Sequence, residues 1–305
     1  GEFLNSRVSL DLDVYLEKTA SLLSSLELPY SNGFDSYTEN IGSVENSGFE
    51  MKASVWLLRD TERKLMWSVT GNIAHNKNKI TKLSEAMKAA NEKLAKVSGS
   101  NPNRILREGD SQDAIYAVPS LGIDPSSGEE IYLKKNGEVT KLWNPDDRVK
   151  CGISQPKYRG NLSTMVRYKD LSLNMSFGYR WGGQLYNQTL IDRVENADKR
   201  YNVDDRVFKD RWQKPGDKTF FKGVNVTTTS NYSSRFVQDE TSFWCQNMNL
   251  TYELRDWAWM RQCGISVINV TVGTGELFYL STIKQERGLA YPFSRQYSMS
   301  LSVMF

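Results

Sequence analysis

Three observations predict an all-β fold, a transmembrane antiparallel β-barrel, for this chain of 305 residues. Apolar side chains recur with a period of two in eight separate segments, the signature of strands with one oily face. The connections between those segments alternate between long and very short. No apolar run exceeds the five residues from Ala114 to Val118, whereas a membrane-crossing helix needs roughly 20.

In the first segment Val8, Leu10, Leu12, Val14 and Leu16 share one face, and Arg7, Ser9, Asp11, Asp13 and Glu17 share the other. The second sets Phe49, Met51, Ala53, Val55 and Leu57 against Glu50, Lys52 and Ser54. Across the polar turn Asp60 to Lys64, the third sets Leu65, Trp67, Val69 and Ile73 against Ser68, Thr70 and Asn72. The fourth alternates Tyr158, Leu162, Val166 and Tyr168 with Arg159, Asn161 and Arg167. Only Lys169 and Asp170 separate it from the fifth, where Leu171, Leu173, Met175, Phe177, Tyr179 and Trp181 alternate with Ser172, Asn174, Ser176 and Arg180. Trp244, Met248, Leu250, Tyr252 and Leu254 mark the sixth, interrupted by Gln246. Ile268, Val270 and Val272 give a weaker seventh, for which a bulge is expected. The eighth closes the chain, with Tyr297, Met299, Leu301, Val303 and Phe305 opposed to Gln296, Ser298, Ser300 and Ser302.

The connections measure about thirty residues, a short turn, about eighty, a short turn, fifty or more, a short turn, and about twenty. One end of the sheet therefore carries every long excursion, as in outer-membrane barrels with short periplasmic turns and long extracellular loops. Counted back from a periplasmic C-terminus, all long segments fall outside. Tyr158 and Tyr168 bracket ~33 Å of strand, and a tilt of ~45° leaves ~24 Å along the membrane normal. This matches the ~25 Å apolar band between aromatic girdles. The aromatic content of 11%, with 15 Tyr and 8 Trp, fits the same placement. Arg7, Asp11, Asp13, Glu50, Lys52 and Arg180 all avoid the apolar faces and are expected in the lumen. Within the loops, Leu83, Met87, Ala90, Leu94 and Val97 predict a helix between Thr81 as N-cap and Gly99. Ala114 to Val118 and Glu130 to Leu133 flank the turn formers Asp124, Pro125 and Gly128, and Asn136-Gly137 predicts a hairpin. Further helices are expected over Leu190 to Tyr201 and, capped by Asn202, over Val203 to Trp212.

Chemistry is sparse. The 39 basic and 36 acidic residues, net +3, form no basic block, which excludes a nucleic-acid track. Cys151, Cys245 and Cys263 have no C-x-x-C spacing, and His75 is the single histidine, so no metal site, cofactor or catalytic set is expected. His75 is read as structural. No Walker A, G-x-S-x-G or EF-hand spacing occurs, and the chain is read as no enzyme. Asp11 and Asp13 share a face that can meet a cation or a polyol. Tyr116, Trp143 and Tyr186 are candidates to stack on sugars, although packing within the loops accounts for them more simply. The start Gly1-Glu2-Phe3 lacks an initiator Met and a signal peptide, so a fragment is expected.

Several segments resemble the SusC-like (RagA-like) branch of TonB-dependent outer-membrane transporters, over nearly the whole chain. Asn40-Ile41-Gly42-Ser43-Val44-Glu45-Asn46-Ser47-Gly48-Phe49-Glu50 resembles its N-I-G-x-V-x-N-x-G-x-E strand entry. Asn76 to Ile80 resembles its N-K-N-K-I, Arg180-Trp181-Gly182-Gly183 its R-W-G-G, and Asp210-Arg211-Trp212-Gln213-Lys214-Pro215-Gly216-Asp217 its D-R-W-x-x-P-G-D. Tyr291-Pro292, Arg295 and Leu301 to Phe305 resemble its closing strand, whereas Gly275-Glu276 departs from the family's usual Asn. The resemblance implies a barrel of about 22 strands, of which residues 1–305 are the last eight. The plug domain and TonB box then lie outside this chain. It also implies import of oligosaccharides or oligopeptides and a SusD-like surface lipoprotein on the loops. The TonB complex and the lipid bilayer are further partners that the resemblance implies. The barrel-assembly machinery is expected to read the last strand, Tyr297, Met299, Leu301, Val303 and Phe305.

Two other readings stay open on the sequence: a self-contained eight-stranded barrel, and a secreted soluble glycan-binding β-sandwich. A sandwich buries the oily faces against a second sheet. A small barrel has to pair its first strand with its last and enclose six charged side chains.

Overall fold

The computed structural model describes residues 1–27, 36–198, 200–201, 203–284 and 294–305. In chain order the strands are β1 (Glu2–Phe3), β2 (Val8–Glu27), β3 (Ser36–Asp60) and β4 (Leu65–Leu83), then β5 (Ala114–Ala117), β6 (Ser120–Ile123), β7 (Glu130–Leu133), β8 (Val139–Thr140) and β9 (Val149–Ile153). They continue with β10 (Tyr158–Tyr168), β11 (Leu171–Tyr186), β12 (Val237–Arg255), β13 (Val267–Gly275), β14 (Tyr279–Ser281) and β15 (Tyr297–Met304). Eight long strands form one antiparallel sheet in the order β2-β3-β4-β10-β11-β12-β13-β15, each beside its sequence neighbour among the long strands. All eight segments with a period of two become these strands.

The register lines up the two faces. Leu12 pairs with Met51 and Met51 with Ile73, while on the opposite face Asp13 pairs with Glu50 and Glu50 with Ala74. The apolar face lies open: Leu12 is 59% exposed, Val14 77% and Met299 74%. Among the described residues no second sheet packs over it, which is the opposite of a sandwich core. Nor does any described ladder join β15 to β1 or β2, so the eight strands do not close on each other.

Aromatic rings rim the apolar face. At the loop end Phe49, His75, Tyr158 and Trp181 stand in sequence across β3, β4, β10 and β11, with ring centroids 5.7, 5.1 and 5.1 Å apart. His75 Nδ1 lies 2.6 Å from the Lys157 carbonyl, the structural setting expected for it. Near the turn end stand Trp67, Tyr168 and Tyr252, and the Trp67 indole N–H donates to Thr164 Oγ1 at 2.9 Å.

Four features of the main sheet differ from what its sequence predicts. The first long connection is mostly strand, because β2 and β3 stay paired from Thr19 with Val44 to Glu27 with Ser36. Paired backbone groups satisfy one another whatever the side-chain pattern, so pairing persists here without alternation. In the sixth strand a register shift beside Ser176 and Phe177 leaves Gln246 as an extra residue. This β-bulge reverses the facing of what precedes it, so Trp244 joins the charged face while Phe243 and Cys245 take the apolar one. β13, by contrast, pairs β12 and β15 without any shift, against the bulge expected there. Finally, β15 ends at Met304, one residue before Phe305.

The loop helices are shorter than their periodicity suggests. Helix α1 (Glu85–Ala95) is capped by Ser84, whose hydroxyl accepts from the Met87 N–H at 3.2 Å; Thr81 still belongs to β4. Leu190–Glu195 forms a π-helical segment, and α2 spans only Arg206–Lys209. Asn202, the expected cap, and Tyr291-Pro292 lie outside the described residues. The Asn136-Gly137 hairpin forms as expected, with Gly137 at φ 86° and Leu133 paired to Val139. Buried apolar clusters gather in these connections, around Ile80 with Met87, Ile191 with Phe236, and Val118 with Tyr232.

Candidate functional site

Polar side chains from β2, β3, β4, β10, β11 and β12 line a cavity of ≈680 Å³ on the charged face. Its walls include Asp11, Asp13, Glu50, Lys52, Asn72, Arg159, Asn161, Arg180 and Trp244. The register arranges them in rows across the strands. One row reads Asp13, Glu50, Ala74, Arg159, Arg180, Ser242. The adjacent row reads Asp11, Lys52, Asn72, Asn161, Gly178, Trp244.

Several of these groups hold one another. Arg180 Nη2 reaches Glu240 Oε1 at 2.5 Å and donates to Tyr279 Oη at 3.1 Å. Its guanidinium also stands 5.7 Å from the Trp244 ring centroid, and that ring covers Gly178 so closely that a Cβ there sits 2.3 Å from Trp244 Cζ2. Amides bridge the strands: Gln246 Nε2 donates to Asn161 Oδ1 at 2.9 Å, and Asn78 Nδ2 to Asn46 Oδ1 at 2.8 Å. This wall offers hydrogen-bond donors, acceptors and both signs of charge to a polar solute.

At the loop end the two longest connections lock together. Arg235 Nη2 lies 2.7 Å from both Glu130 Oε2 and Glu195 Oε1. The Ser233 hydroxyl donates to Glu130 Oε1 at 2.6 Å and the Ser230 hydroxyl to Glu195 Oε1 at 2.8 Å. Burial pushes the Glu130 carboxyl up, but the Arg235 guanidinium overrides this and holds it below the usual carboxylate range. Burial likewise lowers Arg235, and the two carboxylates more than reverse it. Elsewhere Trp212 packs over Gly128, and its indole N–H donates to the Pro125 carbonyl at 2.9 Å. Arg148 lies against the Tyr232 ring at 4.4 Å, where burial brings its pKa down to about 10.

Asp11 and Asp13 do line the cavity. Tyr116 does not serve a solute: it is buried with its hydroxyl on Asp110. Trp143 packs edge-on to Tyr232, and the Tyr186 hydroxyl donates to the Ser100 carbonyl at 2.7 Å. Tyr297, Met299, Leu301 and Val303 stand exposed on β15, with Phe305 just beyond it. Arg159 and Trp244 are cavity residues that the sequence reading left out. The first was legible as a charge on the correct side of β10; the second was hidden by the bulge. Among the described residues no three His, Cys, Asp or Glu side chains cluster as metal ligands, and all three cysteines are free thiols.

No family model matches the chain. It is 37% identical over 263 residues to the TonB-dependent receptor SusC of Bacteroides thetaiotaomicron, a match covering 83% of this chain and 25% of that protein. It is 26% identical over 285 residues to the TonB-dependent receptor P3 of Formosa agariphila, covering 88% of this chain and 27% of that one. Among solved structures it resembles the RagAB peptide transporter with a TM-score of 0.78 at 20% identity, over 98% of this chain and 34% of that chain. The chain thus spans about a quarter of the length of the curated relatives it matches. Sequence motifs, sheet and likenesses agree: the chain is SusC-like, similar over most of its own length to TonB-dependent receptors.

Proposed function

We propose that this chain is the C-terminal part of the barrel of a TonB-dependent outer-membrane importer of oligosaccharides or oligopeptides, with no enzymatic role. Residues 1–305 supply the last eight of about 22 strands; the plug and TonB box belong to protein outside this chain. The C-terminus faces the periplasm, and the long connections face outward, where a SusD-like lipoprotein docks. The TonB complex acts through the plug. Tyr297, Met299, Leu301 and Val303 of β15, with Phe305 just beyond it, form the signal that the barrel-assembly machinery reads.

The observation that carries this reading is the division of the sheet into two faces. Leucines and valines stand open between two aromatic rims, while the reverse face carries the charged row. Lipid solvates the first arrangement and water the second. The names of the relatives, a receptor SusC and a peptide transporter RagAB, support import as the activity.

Sidedness tests it. Cys263 is exposed in the turn between β12 and β13, and Lys135 is exposed in the Asn136-Gly137 hairpin. In intact cells carrying the full-length protein, a membrane-impermeant maleimide is expected to label Lys135→Cys (in a Cys263→Ser background) at once. Native Cys263 is expected to react only after permeabilisation. The reverse order, or equal labelling of both, contradicts the reading.

A further inference from the structure

The row Asp13, Glu50, Ala74, Arg159, Arg180 is divided by sign. Asp13 and Glu50 face each other directly on β2 and β3, and Arg159 and Arg180 face each other on β10 and β11. Like charges directly opposite on neighbouring strands repel; Asp13, Glu50 and Arg159 are exposed, so water screens the repulsion and a solute of opposite charges relieves it further. Arg180 has Glu240. Among the described residues no hydrogen bond or ion pair holds Asp13, Glu50 or Arg159. Between the two pairs stands only Ala74 on β4, a side chain too short to bridge them.

We propose that this row is a subsite for a short zwitterionic peptide segment lying across the strands. Its ammonium end sits on Asp13 and Glu50, and its carboxylate end on Arg159 with Arg180. The inference rests on the import reading and narrows its cargo from oligomers in general to peptides. Two strand spacings separate Glu50 from Arg159, about 10 Å, and an extended tripeptide spans about 10 Å. A neutral glycan needs hydroxyl partners but brings no counter-charge to Asp13, Glu50 or Arg159. The cavity of ≈680 Å³ accommodates a solute of this size.

Calorimetry on the full-length transporter tests it, with trialanine, its N-acetyl and C-amide derivatives, and the neutral trisaccharide raffinose as probes. Trialanine with free ends is expected to bind about tenfold more tightly than either blocked form. In Asp13→Asn/Glu50→Gln the penalty for N-acetylation should vanish while that for amidation remains; in Arg159→Gln the reverse should hold. Unchanged penalties in both variants, raffinose binding as tightly as trialanine, or no trialanine binding at all overturns the proposal. Heat-modifiable migration on gels checks that each variant is folded. If cells still take up raffinose through the transporter, the import reading survives this failure. If deletion of the transporter lowers uptake of neither probe, the import reading falls too.

Discussion

Arg235 and Glu130, 105 residues apart in sequence, meet 2.7 Å apart with both side chains 4% exposed and join the two longest connections. Glu195 completes the group from the π-helical segment, its side chain fully buried. A buried charge is tolerated only when paired and hydrogen-bonded, and each member here has further donors or acceptors. The loops are therefore a preformed body instead of a set of independent excursions.

Removing one partner leaves the others as uncompensated buried charges. Arg235→Ala is expected to destabilise the loop body by about 3–5 kcal/mol while leaving the sheet intact. Limited proteolysis should then cut between residues 99 and 236 in the variant, whereas heat-modifiable migration stays as in the parent protein. Resistance to the protease equal to the parent's contradicts the role assigned to the triad.

Acidification should open the same body. Glu130 titrates below its ordinary value in the folded protein, so the unfolded state binds its proton first as pH falls. The stabilisation is complete above the ordinary carboxylate value of about 4.3 and is lost as pH drops through the lowered folded value. Hydrogen exchange of the Ser230 and Ser233 amides should be insensitive to pH between 8 and about 5.5, after correction for the intrinsic rate, and should accelerate below about 4. A loss of protection centred near neutrality points to a different group.

Gly178 leaves room for the Trp244 ring on the charged face. Gly178→Val is expected to displace that ring at a cost of about 1–3 kcal/mol, since the β-bulge at Gln246 fixes the backbone beneath it. In a background lacking the exposed Trp257 and Trp259, a red-shifted Trp244 emission reports the displacement. Unchanged emission shows that the ring has another place to go.

The two-faced sheet was legible because hydrocarbon and water impose a strict alternation, as at Leu10, Leu12 and Val14 against Asp11 and Asp13. Where that demand ends, the pattern ends too: Thr19–Glu27 and Ser36–Val44 pair without any alternation. The facing of Trp244 was lost to a single extra residue, although the shift in parity from Met248 to Cys245 and Phe243 records it. Ser84 rather than Thr81 caps α1 because β4 keeps pairing with β3 as far as Leu83. The triad left no local signal, for Glu130, Glu195 and Arg235 lie 40 or more residues apart and meet only through tertiary packing. The charge-divided row was half legible. Each sign could be assigned to a face, but only the register shows that like charges stand directly opposite.

Position on the sheet should also decide what a substitution costs. Leu12→Arg places a guanidinium on the open apolar face, at about 2–4 kcal/mol near the bilayer midplane. Asp13→Asn, one residue away on the charged face, relieves the repulsion with Glu50 and should raise stability by less than about 1 kcal/mol. Urea titrations of the full-length protein in lipid vesicles compare the two, and equal costs contradict the assignment of faces.

The most direct measurement places a spin label at Leu12, Asp13, Leu173 and Asn174 in turn, in the full-length protein reconstituted in a bilayer. The collision rates of oxygen and of a water-soluble nickel chelate are then read at each site. High oxygen and low nickel accessibility are expected at Leu12 and Leu173, and the opposite at Asp13 and Asn174. Leu12 and Leu173 shielded from both reagents would mean that protein, not lipid, covers the apolar face.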